Sequence, residues 1–411
     1  MSGGSCDGQG LRPVDEAIAQ LLSRVPATPQ VEWLPLSDAL DRVLAEPAEA
    51  PAPMPAWDNS AMDGYALRAA DLPATGGWLS LGGRIAAGDG AGERLGSGQA
   101  VRIFTGAPLP PGADSVVAQE QVQVEGGRIR LGPVVRGAHV RRRGEEFEAG
   151  DCLLAAGQRL QPQALGLLAS LGVASVAVYR RLRVGLLSSG NELRIPGEPL
   201  LPGQIYNANR YSIGAVLRRL GCEVEDHDIL ADDLTTSREA LSLAAAQADV
   251  LITTGGVSVG EEDHLKQAVR ELGELHLWRL AIQPGKPLAF GSVEGVPWIG
   301  LPGNPAAALV TALVVARPFL LRAQGRCDVL PQPVLLSAGF DWLAANPRRQ
   351  YLRARLGTGA DGKSAVLLHP QQGSAMLAPA CAAQGLAVID CGQTLRQGDP
   401  LLFLPFSALL D

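Results

Sequence analysis

Residues 248–273 read ADVLITTGGVSVGEEDHLKQAVRELG, and this stretch decides the fold class. Its first part, ADVLITT, is an apolar run of strand length, and its last part, EEDHLKQAVRELG, has the apolar spacing of a helix. A glycine-rich turn joins the two parts. A strand, a short turn and a helix form one βα unit, and a series of such units predicts a parallel sheet covered by helices.

Similar units lie on both sides of this stretch. RVGLLSS (183–189) predicts a strand, and NRYSIGAVLRRLG (209–221) predicts a helix with Asn209 as its N-cap and Gly221 just past its end. CEVEDHDIL and TTSREALSLAAAQ repeat the strand and helix pattern, and WIGL leads through PGNP into AAALVTALVVARPFLL. We therefore expect a three-layer α/β domain over 181–328, with helices on both faces of a parallel-type sheet.

The segments outside this domain differ from it in composition. Residues 11–45 have helical spacing, including a second helix from Ser37 to Leu44, and the helical pattern returns in QPQALGLLASLG. Between them lies a glycine-rich stretch with short β-like runs. We predict a multidomain chain: an N-terminal helical and linker domain (11–50 and 144–180), an inserted β-rich domain (51–143) and a C-terminal β sandwich or barrel (329–411).

Composition excludes several classes of protein. The chain has 411 residues and a net charge of −7, which argues against nucleic-acid binding because that function favours a basic surface. We find neither a secretory signal nor a continuous apolar run of membrane-spanning length, so we expect a cytoplasmic protein that does not enter a membrane. None of the six cysteines forms a CxxC pair. We expect reduced, mostly buried cysteines rather than disulfides or a zinc site.

Two turns at the carboxyl ends of predicted strands are suited to phosphate. Ligands of open α/β sheets bind beyond these strand ends. Glycines allow close approach of the backbone to an anion, serine can donate to it, and a helix follows each turn. Either turn alone is also compatible with an ordinary capped βα connection, but both open on the same sheet edge. The candidate phosphate-binding residues are Gly255, Gly256, Ser258, Gly260, Pro302, Gly303, Asn304 and Pro305.

Carboxylates follow the same strand ends. Glu192, Asp232, Asp233 and Asp263 all lie just past predicted strands. Acidic residues in a first helical turn can serve only the helix dipole. However, carboxylates beside a phosphate site repel the ligand unless a cation lies between them. We therefore expect Mg²⁺ or a similar hard ion, held by one or two of these residues.

The remaining candidates are less clearly functional. Lys286 in QPGKP is either a phosphate contact or an ordinary surface lysine. In the inserted domain, Asp63 precedes a glycine and is also compatible with a plain turn, and Thr105 offers a hydroxyl in a tight loop. The run RRRGEE (141–146) is either a solvated face or a donor set for an oxyanion. The five histidines have no neighbours that indicate covalent catalysis.

Taken together, the motifs resemble those of one known family. DNSAMDGYA, RIFTGAPLPPGAD, RRRGEE, SSGNEL, GQIYNANR, TTGGVSVGEED, QPGKP and GLPGNP occur in this order and are similar to the motifs of the molybdopterin molybdenumtransferases (MoeA), a family that includes the E domain of gephyrin. The resemblance covers residues from about 11 to 411, with its specific motifs between 58 and 305.

The resemblance implies both architecture and reaction. It implies an L-shaped homodimer of four-domain subunits, in which the α/β domain faces the inserted domain of the other subunit. It implies that adenylated molybdopterin and molybdate give molybdenum cofactor and AMP with Mg²⁺, with transient contacts to molybdopterin adenylyltransferase and to molybdoenzyme apoproteins. It implies that Glu192, Asp232 and Asp263 contact the metal. Position by position, the functional residues it implies are Asp63, Thr105, Glu146, Glu192, Asp232, Asp263, Pro302 and Pro305.

Some alternatives stay open at this point. The family commonly has Asp where this chain has Glu146, which extends the carboxylate by one methylene. The α/β domain alone would also suit an adenylyltransferase that makes the adenylated pterin, and a gephyrin-like scaffold would have the same fold. Preference for tungstate over molybdate would leave the motifs unchanged.

Overall fold

The protein forms two compact units in the structure, which is a computed structural model that describes residues 10–26, 29–256, 264–285, 287–359 and 362–410. The inserted unit consists of residues 47–156 and 163–174. The main unit consists of the described residues up to 46, 157–162 and those from 175 onward. The finer division into four domains stays a prediction.

The N-terminal segment contains one helix rather than two. Helix α1 (Val14–Leu22) buries Val14, Ala17 and Leu21 on one face, as its apolar spacing predicts. Strand β1 (Val31–Pro35) follows, and then a single 3₁₀ turn, Leu36–Asp38. The predicted helix from Ser37 to Leu44 is wrong. Asp41 has φ of +64°, and its backbone N–H donates to the Leu160 carbonyl, so this segment pairs with a distant part of the chain instead of with itself.

The inserted unit is β-rich, as predicted. A six-stranded sheet, in the order β7-β4-β6-β5-β9-β8, has a buried apolar cluster on each face. Short pairs of strands and 3₁₀ turns complete the unit, and α2 begins at its junction with the main unit. The elements are β2 (Ala48–Glu49), β3 (Asn59–Ser60), β4 (Gly64–Leu67), β5 (Gly77–Ile85), β6 (Gln99–Ile103), β7 (Ser115–Ala118), β8 (Gln123–Glu125), β9 (Arg128–Leu131), β10 (Val140–Arg141), β11 (Cys152–Leu154), α2 (Pro162–Ser170) and the 3₁₀ turns Ala69–Asp71 and Gln119–Gln121.

The main unit contains the predicted three-layer α/β fold. Strand β12 pairs antiparallel with β1, and the large sheet has the order β16-β13-β17-β21-β20-β18. The elements are β12 (Ser175–Tyr179), β13 (Arg183–Ser189), β14 (Leu193–Arg194), β15 (Ile205–Tyr206), α3 (Ala208–Arg219), β16 (Glu223–Leu230), α4 (Leu234–Ala245), β17 (Val250–Thr254), α5 (His264–Leu272), β18 (Gly273–Arg279), β19 (Ile282–Gln283), β20 (Pro287–Val293), β21 (Val296–Leu301), α6 (Pro305–Thr311), the π-helical segment Ala312–Ala316 and α7 (Arg317–Ala323).

The sheet is mixed rather than wholly parallel. Strands β16, β13, β17 and β21 are parallel, whereas β20 and β18 join antiparallel at one edge. The inner parallel strands β13, β17 and β21 are mostly buried because both faces are covered, whereas the edge strand β16 carries several charged residues. Neighbouring residues alternate between the two cores: Ile252 packs with α3, α6 and α7, and Leu251 packs with α4 and α5. The helices therefore lie on both faces, as predicted.

One helical stretch has the length and composition of a membrane span. Pro305–Ala323 meets that test, but 89% of its most apolar window is buried within the protein. Its side chains contribute to the larger core cluster together with β13, β17 and β21. The stretch is therefore accounted for as the central helix of a packed core.

The C-terminal strands close into a five-stranded barrel. The pairing runs β23-β24-β22-β26-β25 and returns to β23, while β19 adds to the outside of β23. Alternate residues fill the interior, which includes Leu352, Val366 and Phe403. The elements are β22 (Val334–Ala338), β23 (Arg349–Thr358), β24 (Ser364–Leu368), α8 (Ala378–Cys381), β25 (Gly385–Ile389), β26 (Pro400–Pro405) and α9 (Phe406–Leu409).

Two smaller expectations are also wrong. The N-cap of α3 is Asn207, whose side chain accepts from the Arg210 N–H, rather than Asn209. Among the five cysteines in the described part of the chain, Cys222 alone is buried, and Cys152, Cys327 and Cys381 are exposed. None of these five forms a disulfide.

Candidate functional site

A cavity of about 1020 Å³ lies at the carboxyl edge of the large sheet. Its lining includes residues just past the ends of β13, β16, β17 and β21, where the sequence places its glycine-rich turns and carboxylates. Parallel strands present their carboxyl ends to the same edge, so separate segments converge there. Of the predicted residues, the cavity brings together Glu192, Asp232, Gly255, Gly256, Pro302, Gly303, Asn304 and Pro305.

The turn after β17 requires glycine. Gly255 has φ of +86° and Gly256 has φ of +63°, a region that residues with a side chain rarely adopt. A Cβ at Gly255 would also lie 2.5 Å from the Ser189 carbonyl oxygen. The backbone after β17 therefore packs directly against the backbone at the end of β13, with no room for a side chain between them.

The turn after β21 is held from two sides. The side-chain nitrogen of Asn209 donates to the Gly303 carbonyl at 2.7 Å, and that of Asn304 lies 3.4 Å from the Ser374 hydroxyl oxygen. Pro305 occupies the start of α6, where its missing N–H costs no hydrogen bond. Asn304 is the N-cap by position, but its side chain makes no cap hydrogen bond. It contacts the barrel instead.

Two buried amides line the cavity beside α3. Asn207 is 1% exposed and Asn209 is 8% exposed. The Asn207 side-chain nitrogen and the Asn209 side-chain oxygen have no hydrogen-bond partner among the residues that the structure describes. A buried amide without a partner costs free energy, so these two atoms are candidates to bind a ligand. The interpretation of Asn209 as a helix cap obscured this role, although the motif NANR places both side chains beside the cavity.

Carboxylates line the same cavity. Glu192 and Asp232 are both exposed to it, whereas Asp233 accepts from the Thr236 N–H and hydroxyl at 2.7 Å each and so caps α4. These hydrogen bonds, from the Thr236 backbone first, lower the pKa of Asp233. Within the described ranges no group of three histidine, cysteine or acidic side chains could hold a metal. Glu192 and Asp232 supply two oxygen donors of the type that Mg²⁺ prefers.

The barrel supplies the opposite wall. Arg348, Gln372 and Ser374 line the cavity, and the Arg348 guanidinium donates to the Gln283 side chain at 2.8 Å. None of these residues was predicted from the sequence. They lie more than 150 positions from Glu192 in the chain, and no local pattern marks barrel loops that meet a distant sheet edge.

In the inserted unit, Asp63 and Thr105 interact directly. The backbone N–H and the hydroxyl of Thr105 both donate to the same Asp63 carboxylate oxygen, each at 2.8 Å. The hydrogen bond from the Thr105 backbone, followed by that from its hydroxyl, lowers the pKa of Asp63. Both side chains belong to exposed residues, so the ionised Asp63 carboxylate and the neutral Thr105 hydroxyl are accessible at neutral pH.

The basic run of the inserted unit is partly neutralised. Arg142 forms an ion pair with Asp58 at 2.7 Å, and the Arg143 N–H donates to the other oxygen of Asp58 at 2.8 Å. Glu145 accepts from the Arg142 N–H. Glu146 is exposed, and its backbone N–H donates to the Met54 carbonyl. Four predicted residues, Ser258, Gly260, Asp263 and Lys286, lie outside the described residues.

Three family models match the chain in succession. The MoeA N-terminal region (domain I and II) matches residues 12–172. A probable molybdopterin binding domain matches 185–322. The MoeA C-terminal region (domain IV) matches 336–406. The second of these matches contains the residues that follow the strands of the large sheet.

Curated relatives and solved structures agree with these matches. The chain is 44% identical over 315 residues to the molybdopterin molybdenumtransferase of Haemophilus influenzae, covering 76% of this chain and 78% of that protein. It is 36% identical over 403 residues to the protein of that name from Synechococcus elongatus, covering 94% and 97%. The MoeA structure from Pyrococcus horikoshii OT3 has a TM-score of 0.82 at 26% identity and covers 96% of this chain and 100% of that one.

Proposed function

This chain belongs to the MoeA family of molybdopterin molybdenumtransferases, and we propose that it inserts molybdate into adenylated molybdopterin and releases AMP. Molybdate is the source of the transferred metal, and the pterin dithiolene receives it. Cleavage of the phosphoanhydride of the adenylated pterin accompanies the insertion. Similarity along almost the whole chain to proteins named molybdenumtransferases does not favour an adenylyltransferase or a non-catalytic scaffold.

The observation that carries this proposal is the composition of the large cavity. Its volume of about 1020 Å³ is at the upper end of the range for small-molecule sites and is sufficient for a pterin joined to a nucleotide. One wall consists of backbone and buried amides, and another carries Glu192 and Asp232. One site therefore contains both hydrogen-bond donors that can bind a pyrophosphate and carboxylates that repel it.

The residues of the turns bind and orient the substrate. The backbone around Gly255 and Gly256 approaches the pyrophosphate closely because no Cβ intervenes. The Asn207 side-chain nitrogen donates to the bound substrate, and the Asn209 side-chain oxygen accepts from it. Ser258, Gly260 and Lys286 are proposed to complete the phosphate contacts, as expected from the sequence.

A divalent cation fits the donor set. Glu192 and Asp232, together with Asp263 as expected from the sequence, would hold Mg²⁺. Bound there, the ion would neutralise phosphate charge and polarise the phosphoanhydride. The carboxylates themselves exclude an unaccompanied anion from that side of the cavity, because like charges repel in a partly enclosed site.

The inserted unit is proposed to act in a homodimer. In this arrangement Asp63, Thr105 and Glu146 of one subunit face the large cavity of the other, as the family resemblance implies. Asp63, whose carboxylate is ionised, and Thr105, whose hydroxyl donates to it, are both exposed, and so they have the accessibility that this role requires. We place the dimer in the cytoplasm, where it transiently contacts molybdopterin adenylyltransferase and molybdoenzyme apoproteins.

The test is a nucleotide-release assay. Purified protein is incubated with adenylated molybdopterin, Mg²⁺ and either molybdate or tungstate, and AMP and ATP are quantified. AMP release that depends on the oxyanion is expected, and the faster oxyanion identifies the preferred metal. Asp263→Ala should abolish release while the protein stays folded and dimeric. ATP consumption without AMP release would instead identify an adenylyltransferase.

A further inference from the structure

A second pocket of the main unit lies at the opposite end of the sheet. It has a volume of about 250 Å³. Its lining includes the residue segment just before β13 and the C-terminal ends of α3 and α7. Five of its ten lining residues are arginines, and Asp41 is its one acidic residue. The arginines are Arg159, Arg181, Arg218, Arg219 and Arg326. We call this site the arginine pocket.

The positive charge of the arginine pocket is only partly compensated. Arg159 pairs with Asp41 at 2.8 Å, and Arg181 donates to the Gly221 carbonyl at 3.1 Å. Across the described part of the chain, neither Arg218 nor Arg219 forms an ion pair. Arg218 and Arg219 therefore add two positive charges to a recess whose one lining carboxylate, Asp41, already pairs with Arg159, in a protein whose net charge is −7. Guanidinium groups gathered in one recess repel each other unless an anion joins them.

A purely structural role explains only part of this arrangement. Arg218 and Arg219 lie in the last turn of α3, where basic residues interact favourably with the helix dipole. Arg181 comes from a different segment, just before β13, and the dipole of α3 does not explain why it joins Arg218 and Arg219 in this recess. Gly221 keeps the recess open, since its φ is +86° and a Cβ there would lie 3.3 Å from the Gln324 side-chain oxygen.

We propose that the arginine pocket binds a small, multiply charged oxyanion of the phosphate class. Guanidinium groups match phosphate oxygens with paired donors, and several together favour a multiply charged ligand over a single carboxylate. The pocket has room for roughly eight water molecules, which admits orthophosphate or pyrophosphate but not a whole nucleotide. The site is separate from the large cavity, because the two share no lining residue.

The experiment measures how strongly a ligand protects each arginine of the arginine pocket from modification, because pyrophosphate can also enter the large cavity. The full-length protein is treated with phenylglyoxal, which modifies arginines, and adducts are located by mass spectrometry. The reaction is run with pyrophosphate, with orthophosphate, and with sodium chloride at matched ionic strength. Both phosphate species should slow modification of Arg181, Arg218 and Arg219, with pyrophosphate more effective, whereas Arg238 on α4 should react at an unchanged rate.

Calorimetry on charge-matched variants provides the second measurement. Arg218→Gln with Arg219→Gln should weaken pyrophosphate binding at this site by about tenfold or more, since it removes charge-assisted hydrogen bonds. Arg238→Gln with Arg270→Gln removes the same charge from other helices and should leave the affinity unchanged. Equal protection by chloride, equal loss in both double variants, or protection confined to residues of the large cavity would overturn the proposal.

Discussion

The side-chain nitrogen of Asn209 lies 2.7 Å from the backbone carbonyl oxygen of Gly303. This hydrogen bond joins the first turn of α3 to the turn that precedes α6, so two walls of the large cavity have a fixed separation. Asn209 is buried, whereas Gly303 is an exposed residue, so the hydrogen bond lies where the cavity wall meets solvent.

Substitution of Asn209 should therefore affect both stability and activity. We expect Asn209→Ala to lower the free energy of unfolding by about 1 kcal/mol, the typical net contribution of one hydrogen bond, and to reduce AMP release. Denaturant unfolding and the nucleotide assay measure the two effects. Ser212→Ala, on the same helix, should leave both almost unchanged. Full activity of Asn209→Ala would show that the turn is held without this amide.

The glycine of the phosphate turn offers a matched comparison. Gly255→Ala adds a Cβ that would meet the Ser189 carbonyl at 2.5 Å, in addition to strain at φ of +86°. Gly295→Ala adds a Cβ at nearly the same φ, +84°, with no atom within 4 Å. Gly295→Ala should cost roughly 1 kcal/mol for φ alone, and Gly255→Ala should cost more and also impair substrate binding. Thermal unfolding of both variants gives the comparison, and equal losses would refute the steric argument.

The Asp63–Thr105 contact predicts a titration shift. Hydrogen bonds to the carboxylate hold the pKa of Asp63 below its ordinary value. Thr105→Val removes the hydroxyl donor but keeps the backbone N–H, so the pKa of Asp63 should rise toward its ordinary value without reaching it. Carboxyl NMR titration measures this shift. The pKa of Asp233, which Thr236 lowers in the same way, is the internal reference and should stay constant.

Adjacent aspartates should separate cation binding from helix capping. Asp232→Asn removes a carboxylate from the cavity and should raise the Mg²⁺ concentration needed for half-maximal AMP release. Asp233→Ala removes the cap of α4 and should lower the melting temperature without changing that Mg²⁺ requirement. The assay and a thermal scan are run on both variants. If Asp233→Ala raised the Mg²⁺ requirement and Asp232→Asn lowered the melting temperature instead, our assignment of the cation to Asp232 would be wrong.

Acid sensitivity should depend on Asp249. Burial alone raises the pKa of Asp249, but hydrogen bonds from Arg180 and the Arg183 N–H outweigh it and lower that pKa. A lowered folded-state pKa stabilises the protein above the unfolded value of about 4, and this stabilisation is lost as pH falls through the folded value. Asp249→Asn should therefore be less stable than the parent at neutral pH, with a difference that shrinks in acid. A stability difference that stayed constant from neutral pH into acid would contradict this account.

The sequence predicts the elements whose signals are local. The apolar runs of β13, β17 and β21 are long enough to be recognised as strands, and the helices after them have clear spacing. The rule that ligands bind at carboxyl ends then brings Gly255, Glu192 and Asp232 to one cavity. The antiparallel edge strands β18 and β20 were not predicted, because GELHLWR and PLAFGSV lack the continuous apolar pattern of the central strands.

Other features depend on contacts between distant segments. The second N-terminal helix fails because Asp41 and Leu44 donate to residues 160 and 158, more than 100 positions away. Arg348 and Ser374 join the cavity only because the barrel closes beside the sheet edge. Asn207 and Asn209 belong to the motif GQIYNANR. Their burial, and the lack of hydrogen-bond partners for two of their side-chain atoms among the described residues, depend on the packing around them and cannot be predicted from the motif.

The position of the barrel loops has a consequence for synthesis of the protein. Part of the cavity wall comes from residues 372–375, and these are held in place by strands that end at Pro405. A nascent chain that stops after α7 has a complete α/β sheet but an open-sided site. Capture of the proposed substrate is thus restricted to polypeptides in which the barrel strands up to Pro405 have been translated.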